Sequence, residues 1–257
     1  LYPQSKEVPQ RRKMISVSHA GALGADLFER DSPISCDDDC EEVVLGIDPD
    51  RSGAIGIEFA SFYNDMGVDV TVVEMLDREV PVEDAEGSAF LEKSLTKQGM
   101  TIMTGAGVED LKVTAKGVTA KIKDSKGKVT ETEFSHCITA IGIVPNAENV
   151  GLEKLVEMDR GFIQIDDYGR TKSKGLWAIG DCTPGPWLAH KASHEGVVCV
   201  EKIAGYDGVH PFETHNIPGC TYCRPQIASV GLTEAAAKEK GRKVKVCLLY
   251  TSPSPRD

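Results

Sequence analysis

The sequence has no run of 18 apolar residues, so it predicts no membrane-spanning helix, which needs about 20 of them. Positive charge is also scarce. The chain has 29 Lys and Arg residues against 40 Asp and Glu residues, a formal net charge of −11 and a pI near 5.1. Because an acidic chain is repelled by nucleic acid and by anionic membrane surfaces, the sequence predicts neither as a partner.

The cysteines lack the pattern of a secreted protein. Eight of them are scattered over 257 residues, without the spacings of a disulfide framework. The N-terminal residues include basic side chains but no apolar core of signal-peptide length, so secretion is not predicted. With 40% hydrophobic residues and 25 glycines, the composition indicates a globular α/β protein of one large or two ordinary domains.

The most informative stretch runs from Ser52 to Glu74. Gly53 and Gly56 open a run with apolar residues at helical spacing, and a β-branched strand is predicted at Val68–Val73. Two glycines at the start of a helix let the backbone approach a pyrophosphate, and the helix N-terminus attracts its negative charge. Glu74 follows the strand, where a carboxylate accepts hydrogen bonds from both ribose hydroxyls of NAD and repels the 2′-phosphate of NADP.

This motif is incomplete, however. The dinucleotide fingerprint has glycine two positions before Gly53, and this chain has Arg51. Pro49 stands where a buried first strand is needed, although proline donates no hydrogen bond to a sheet. From these residues alone, a helix N-terminus with small residues for packing remains the alternative to a dinucleotide site.

The N-terminal residues give a different signal. Residues 1–42 lack sustained periodicity and are predicted to be coil, and Cys36 and Cys40 are better explained by a solvated acidic loop than by a metal site. Residues 43–54 resemble the first catalytic strand of ribonuclease H-like Holliday junction resolvases, in which Asp48 would bind a metal. The alternatives are therefore a nuclease, or a chimeric junction between two coding sequences.

Further elements follow in an α/β order. A helix is predicted from Asp84, as N-cap, to Gly99, and a short strand at Thr101–Met103. Alternation then predicts an antiparallel meander through residues 118–134, with a turn at 124–128. A return strand at 137–141 ends at Gly142, which either forms a structural turn or admits a ligand to the backbone.

A second block begins at Gly161. Strands predicted at residues 162–165 and 176–179 deliver Asp181 to the end of a strand, where it can accept hydrogen bonds from ribityl or sugar hydroxyls. A helix predicted at residues 187–205 would direct its N–H groups near Ala189 and His190 at an electron-rich ligand atom. His190 and His194 lie four residues apart, but no third ligand supports a zinc site.

Four segments together resemble dihydrolipoamide dehydrogenases, a family of flavoprotein disulfide oxidoreductases. The resemblance covers residues 52–246 and rests on these segments: GAIGIEFASFY with VTVVEMLDR, AIGIVPNAEN, DDYGRTKSKGLWAIGDC with LAHKASHEG, and IPGCTYCRPQIASVGLTEAAAK. It implies an α/β fold: a Rossmann-like NAD domain with the inserted antiparallel meander, part of an FAD domain, and the start of an α+β dimerisation domain.

The resemblance also implies boundaries and binding residues. The NAD domain would span residues 53–143, the partial FAD domain 144–212 and the start of the dimerisation domain 213–246, with 1–52 unrelated or disordered and 247–257 an adapter-derived tail. Residues lining NAD would be Gly53, Ile55, Gly56, Glu58, Glu74, Val108 and Gly142. Residues at FAD would be Asp181, Ala189 and His190, the first on the ribityl chain and the others through backbone N–H groups at the isoalloxazine ring.

Several expected parts have no counterpart here. The redox-active cysteine pair, the first FAD-binding βαβ unit and the catalytic His-Glu pair of this family are not matched, so the chain is interpreted as a fragment, itself inactive, with no catalytic or metal-binding residue. Cys220 and Cys223 form a CxxC but are interpreted as structural thiols.

In the intact family the partners implied are dihydrolipoamide on lipoyl-domain proteins of 2-oxoacid dehydrogenase complexes and a second copy in a homodimer. The implied location is cytoplasmic, or the mitochondrial matrix in a eukaryote. A nucleotide-binding module without catalysis remains the other alternative.

Overall fold

This computed structural model describes residues 53–78, 80–211 and 213–249, together with the backbone of two strands at 12–17 and 45–46. The predictions for Cys36, Cys40, Asp48, Arg51 and residues 250–257 lie outside the described residues. In chain order the elements are β1 Arg12–Val17, β2 Leu45–Gly46, α1 Gly53–Asp65, β3 Val68–Val73, α2 Ala85–Lys97, β4 Thr101–Met103, β5 Gly107–Thr114, β6 Gly117–Lys123, β7 Val129–Phe134, β8 Cys137–Thr139, β9 Met158–Asp159, β10 Phe162–Ile163, α3 Ala189–Ile203, β11 Gly219–Thr221, β12 Ile227–Ser229 and α4 Glu234–Glu239.

A parallel sheet of β1, β2, β3, β4 and β8 carries the first part of the chain. Strand β1 pairs with β3 from Arg12↔Val68 to Val17↔Val73 and with β8 at Ile15↔Cys137, while β2 pairs with the carboxyl ends of β1 and β3. The coil prediction for residues 1–42 is therefore wrong at residues 12–17. Their partners in β3 and β8 lie more than 50 residues away in the sequence, so local periodicity could not indicate the strand.

Helices α1 and α2 pack on this sheet over an apolar core. Its fully buried members include Ile57 and Ala60 of α1, Val72 of β3, and Leu91 and Leu95 of α2. The apolar residues at helical spacing, Ile55, Phe59 and Phe62 of α1 and Met66 just beyond its end, are instead exposed by 37% to 70%. The opposite side of α1 packs on the sheet because its small and β-branched residues permit the closer approach.

The predicted helix ends are accurate to within about two residues. Asp84 occupies the N-cap position of α2, but its side chain does not cap that helix. Its Oδ1 accepts a hydrogen bond from Glu234 N at 2.9 Å, so Asp84 joins the start of α4 to the start of α2. At the other end, Gly99 has φ of +100°, a conformation that favours glycine and stops the helix.

The antiparallel meander is confirmed as a three-stranded sheet of β5, β6 and β7. Val118, Ala120 and Ile122 alternate into its buried face and pair with Phe134, Thr132 and Thr130. Asp124 Oδ1 accepts hydrogen bonds from the N–H groups of Lys126 and Lys128, each at 2.9 Å, and thereby shapes the predicted turn.

The block after Gly161 is less regular than predicted. The strand at residues 162–165 is shortened to β10, which pairs with β9. The predicted strand at residues 176–179 is wrong, because this segment makes an isolated bridge between Trp177 and Arg170. Its backbone turns instead into a single 3₁₀ turn at Gly180–Cys182, which precedes α3.

The last described segment joins the first sheet's core. Cys223 is 4% exposed within the core of α1, α2 and β3, and Ile227 of β12 packs against the same cluster. The mixed α/β architecture is therefore confirmed. The numerical domain boundaries stay a prediction.

Candidate functional site

Three predicted nucleotide-site residues lie at one edge of the parallel sheet. Glu74 directly follows β3, Gly142 lies three residues beyond β8, and α1 begins at Gly53 after β2. Because these strands run parallel, their carboxyl ends meet at the same edge, where α/β sheets bind their ligands. Gly142 is exposed with φ of +142°, so the chain at this edge has a conformation that a side chain would disfavour.

The N-terminus of α1 is suited to a phosphate group. Gly53 is its first residue, Gly56 is buried one turn later, and Ile55 is partly exposed between them. The first turn carries no acidic side chain that would repel an anion. The first N–H groups of a helix have no partner within the helix, and the 13-residue helix adds its dipole to their positive charge.

Glu74 and Val108 are less accessible than the predicted contacts need. The side chain of Glu74 is fully buried, and its Oε1 accepts a hydrogen bond from Leu76 N at 2.7 Å. The backbone of Glu74 is also hydrogen-bonded to Met103 and Ala106, on either side of the turn between β4 and β5. Val108 is 2% exposed in the core of the meander. A ribose contact therefore requires the Glu74 carboxylate to become accessible, whereas Val108 can offer only backbone.

Glu58 is bound to a segment far away in sequence. Its Oε1 accepts a hydrogen bond from Tyr222 N at 2.7 Å, and Ser61 Oγ accepts one from Arg224 N at 3.0 Å. One turn further along α1, Asp65 forms an ion pair with the Arg224 guanidinium. These three acceptors recur at the i, i+3, i+7 spacing of one helix face, and hold the segment that inserts Cys223 into the core.

The structure leaves the three predicted flavin-site residues exposed. Asp181 lies in the Gly180–Cys182 turn, and Ala189 and His190 are the first two residues of α3. Leu188 at the N-cap provides no side-chain hydrogen bond to the helix, so the first N–H groups of α3 are not capped by a side chain. His190 Nε2 lies 2.9 Å from Pro218 O and must be the donor, because a carbonyl only accepts.

A buried ion pair joins the Gly180–Cys182 turn to α3, and sequence reasoning missed it. Lys191 is 2% exposed, and its Nζ lies 2.9 Å from Glu195 Oε1. Glu195 Oε2 accepts a hydrogen bond from Gly180 N at 2.7 Å. The i, i+4 spacing of Lys191 and Glu195 was a signal for the pair, but such pairs are usually solvent-exposed.

The pairs His190 with His194 and Cys220 with Cys223 are the sequence features that resemble parts of a metal site. His190, His194 and Cys220 line one cavity together with Glu213. Within the described part of the chain no group of three or more His, Cys, Asp or Glu side chains has the arrangement of a metal site. Cys223 Sγ donates to Pro225 O at 3.0 Å, and burial raises the pKa of this thiol to about 11, which favours the structural role predicted for it.

A parallel sheet with a glycine-opened helix at its carboxyl edge is the arrangement of a dinucleotide-binding α/β protein. The sequence profile described as pyridine nucleotide-disulphide oxidoreductase matches residues 44–196, and the one described as the dimerisation domain of the same family matches residues 217–257. The chain belongs to the pyridine nucleotide-disulphide oxidoreductase family. These matches also include most of residues 43–54, on which the nuclease alternative rested, and the tail at 247–257.

Individual relatives agree with this assignment. The chain is 55% identical over 196 residues to dihydrolipoyl dehydrogenase of Zymomonas mobilis subsp. mobilis, in a match that covers 76% of the chain and 42% of the relative. It is 56% identical to the Rhizobium etli protein of the same name, over 76% of the chain and 41% of that relative. The chain therefore spans about two fifths of the length of these curated relatives.

Solved structures show the same fold. The crystal structure of LpdA from Mycobacterium tuberculosis aligns with a TM-score of 0.65 at 32% identity, over 74% of this chain and 40% of that one. The flavoprotein disulfide reductase RclA from Escherichia coli, as its Cu(II) complex, aligns with a TM-score of 0.66 at 24% identity, over 73% of this chain and 43% of that one. At that identity RclA supports the fold alone.

None of the described helices is long and apolar enough to cross a membrane.

Proposed function

We propose that this chain is the cofactor-binding part of a dihydrolipoyl dehydrogenase that uses FAD and NAD. The observation that carries the proposal is the identity of more than half over 196 residues to two proteins of that name. The substrate would be dihydrolipoamide carried on the lipoyl domains of 2-oxoacid dehydrogenase complexes. The enzyme would act as a homodimer in the cytoplasm, or in the mitochondrial matrix of a eukaryote.

The nucleotide end of the proposed site uses backbone more than side chains. Gly53 and Gly56 would let the NAD pyrophosphate approach the N-terminus of α1, and Gly142 would admit the ligand at the neighbouring strand end. Ile55 would supply a partly exposed apolar wall there. Val108 would contribute through its backbone, because its side chain is buried. The residues present therefore fit a dinucleotide along this edge.

Glu74 would bind the ribose hydroxyls only once its buried carboxylate is uncovered. It can keep the hydrogen bond from Leu76 N when it does so, because the two oxygens of a carboxylate together accept about four hydrogen bonds. The Glu58 carboxylate holds Tyr222, so we assign this side chain to docking of the 222–224 segment beside the nucleotide.

The flavin end of the site has a suitable donor set. Exposed Asp181 can accept hydrogen bonds from the ribityl hydroxyls, and the uncapped N–H groups at Ala189 and His190 can bind an electron-rich ring atom. When bound, FAD and NAD supply the two-electron chemistry that oxidises a dithiol and forms NADH. This chain's residues would position both groups and stabilise the negative charge at the edge of the ring.

A segment exchange tests the proposal. Residues 53–246 replace the matching segment of the Zymomonas mobilis relative, and dihydrolipoamide-dependent NAD reduction is measured. We expect turnover within about tenfold of the parent enzyme. That limit is a rise of at most about 1.4 kcal/mol in the activation free energy. A flavin-loaded, dimeric chimera without turnover would overturn the proposed function.

Two glycine variants of the chimera locate the nucleotide site. Gly53→Ala places a methyl group where the pyrophosphate must approach the backbone, and we expect it to raise the KM for NAD at least about tenfold. Gly87→Ala is the matched control, because a methyl group at this helical position meets no atom within 4 Å. Equal KM values for the two variants would place NAD away from the N-terminus of α1.

A further inference from the structure

The Lys191–Glu195 pair is the feature that the proposed site does not yet use. Lys191 Nζ is surrounded by oxygen atoms: Glu195 Oε1 at 2.9 Å, Pro184 O at 3.0 Å, Thr183 Oγ1 at 3.2 Å and Gly180 O at 3.5 Å. A buried ammonium group is strongly unfavourable unless its charge is paired and its protons are bonded. Here both conditions are met, so the lysine is fixed at this position.

Most of these contacts lead to one short backbone segment. Gly180, Thr183 and Pro184 belong to the turn that carries Asp181 or directly follow it, whereas Lys191 and Glu195 belong to α3. The Glu195 carboxylate divides its two oxygens between the elements, because Oε1 faces Lys191 Nζ and Oε2 accepts from Gly180 N at 2.7 Å. Thr183 Oγ1 closes the turn by donating to Gly180 O at 2.7 Å.

Gly180 is held through both of its backbone polar groups, since its N–H donates to Glu195 Oε2 and its carbonyl accepts from Thr183 N and Thr183 Oγ1. Its φ of +76° lies in the left-handed region, and an added Cβ would lie 3.5 Å from Ala192 Cβ on α3. The next residue, Asp181, is exposed. The Glu195 contact therefore lies directly beside the residue that would receive the ribityl chain.

We propose that Glu195 and Lys191 are positioning residues that hold the Gly180–Cys182 turn against the N-terminus of α3. Glu195 binds the turn directly, and Lys191 neutralises that carboxylate and binds the end of the turn. The pair thereby fixes Asp181 relative to Ala189 and His190, which are the three proposed flavin contacts. This inference rests on the proposed function for its purpose, but the positioning itself is measurable without flavin.

The test compares two double variants of the full chain. K191M/E195Q and K191M/E195L both lack the two buried charges, but the glutamine variant keeps an acceptor for Gly180 N and the leucine variant does not. Removal of both charges from a buried pair is often nearly neutral for stability, so similar urea midpoints are expected. Amide hydrogen exchange at Gly180 should be faster in K191M/E195L by about tenfold, the ratio for one lost hydrogen bond.

Controls separate positioning from general loosening. Lys238 and Glu234 form a more exposed i, i+4 ion pair on α4, so K238M/E234L changes the same residue types without touching the turn. It should leave exchange at Gly180 unchanged. Equal exchange in the two double variants, or acceleration that merely follows the urea midpoint, would overturn the proposal.

A flavin titration of the same proteins keeps the two proposals distinguishable. If the chain binds FAD, K191M/E195L should bind it more weakly than K191M/E195Q, as measured by flavin fluorescence. Absence of FAD binding in every protein, including the unsubstituted chain, is the outcome expected if the rest of the flavin site lies outside this chain, and it would not bear on the positioning. The exchange measurement would still decide whether the pair positions the turn.

Discussion

Glu58 has two possible roles, docking of the 222–224 segment or contact with the nucleotide, and its substitution gives the most informative prediction. Glu58→Ala deletes the acceptor for Tyr222 N, which forms a short 2.7 Å charge-assisted bond. A hydrogen bond to a charged group contributes about 1.5–3 kcal/mol, but Tyr222 is 69% exposed and its N–H can recover water. We therefore expect the free energy of unfolding to fall by about 1–2 kcal/mol.

The companion variants make the prediction specific. Glu58→Gln keeps an oxygen acceptor without its charge and should lose less than half as much. Glu83→Ala is the control, because Glu83 also accepts one hydrogen bond from the same region, but from a side-chain hydroxyl, Ser229 Oγ, and at the longer distance of 3.0 Å. We expect its unfolding free energy to change by less than about 0.5 kcal/mol.

Urea unfolding and NADH titration of the same proteins decide the role. The docking assignment predicts a lower urea midpoint for Glu58→Ala and an NADH affinity changed by less than about threefold, or 0.65 kcal/mol. An unchanged midpoint combined with a large loss of NADH affinity would refute the docking assignment and restore Glu58 as a nucleotide contact.

Three further predictions concern the core, the thiols and the flavin. Leu95→Ala should lower the unfolding free energy by about 2–5 kcal/mol because Leu95 is fully buried, while Phe90→Ala, at a 64% exposed side chain, should be nearly neutral by urea unfolding. Burial raises the pKa of Cys223 to about 11 and also raises the pKa values of Cys137 and Cys199 above the ordinary 9.0. Since the unfolded chain ionises these thiols at lower pH, the unfolding free energy should fall between about pH 9 and pH 11, and Cys223→Ala should reduce that fall; a flat profile would contradict the burial argument. The purified chain should lack stoichiometric flavin and lipoamide-dependent NADH oxidation, because the resemblance places the pyrophosphate cradle and the redox cysteines outside it; a yellow, active preparation would count against this.

Elements governed by local periodicity could be predicted from the sequence. The β-branched run at Val68–Val73 specifies a strand that is buried on both faces, whereas the alternation of Val118, Ala120 and Ile122 specifies a strand with one buried face. Glycines with positive φ, such as Gly99, mark where helices end. These features depend on neighbours within a few residues, so no tertiary information was needed.

Elements governed by distant contacts could not be predicted. Residues 176–179 have the composition of a buried strand, but the described sheets give them no partner beyond the bridge of Trp177 to Arg170. Likewise, the hydrogen bond of Glu58 could not be predicted, because its donor Tyr222 N lies 164 residues away, and the role of Glu58 at NAD stays a prediction. The buried Lys191–Glu195 pair was missed for a related reason, since its burial depends on the turn at Gly180 and not on the helix that carries it.

Helix α1 makes contacts that its sequence motif does not indicate, because three of its faces have different neighbours. The N-terminus of α1 faces the carboxyl edge of the sheet, one side of it packs through Ile57 and Ala60, and a third face binds the 222–224 segment. The apolar spacing of Ile55, Phe59 and Phe62 predicted a single buried face, and that face is exposed in the structure. The glycines predict a ligand site for a different reason, because the missing side chain lets a ligand approach the backbone itself. Side chains on α1 acquire their roles only when the distant segment is docked, and substitutions at Glu58, Ser61 or Asp65 should therefore change stability before they change nucleotide affinity.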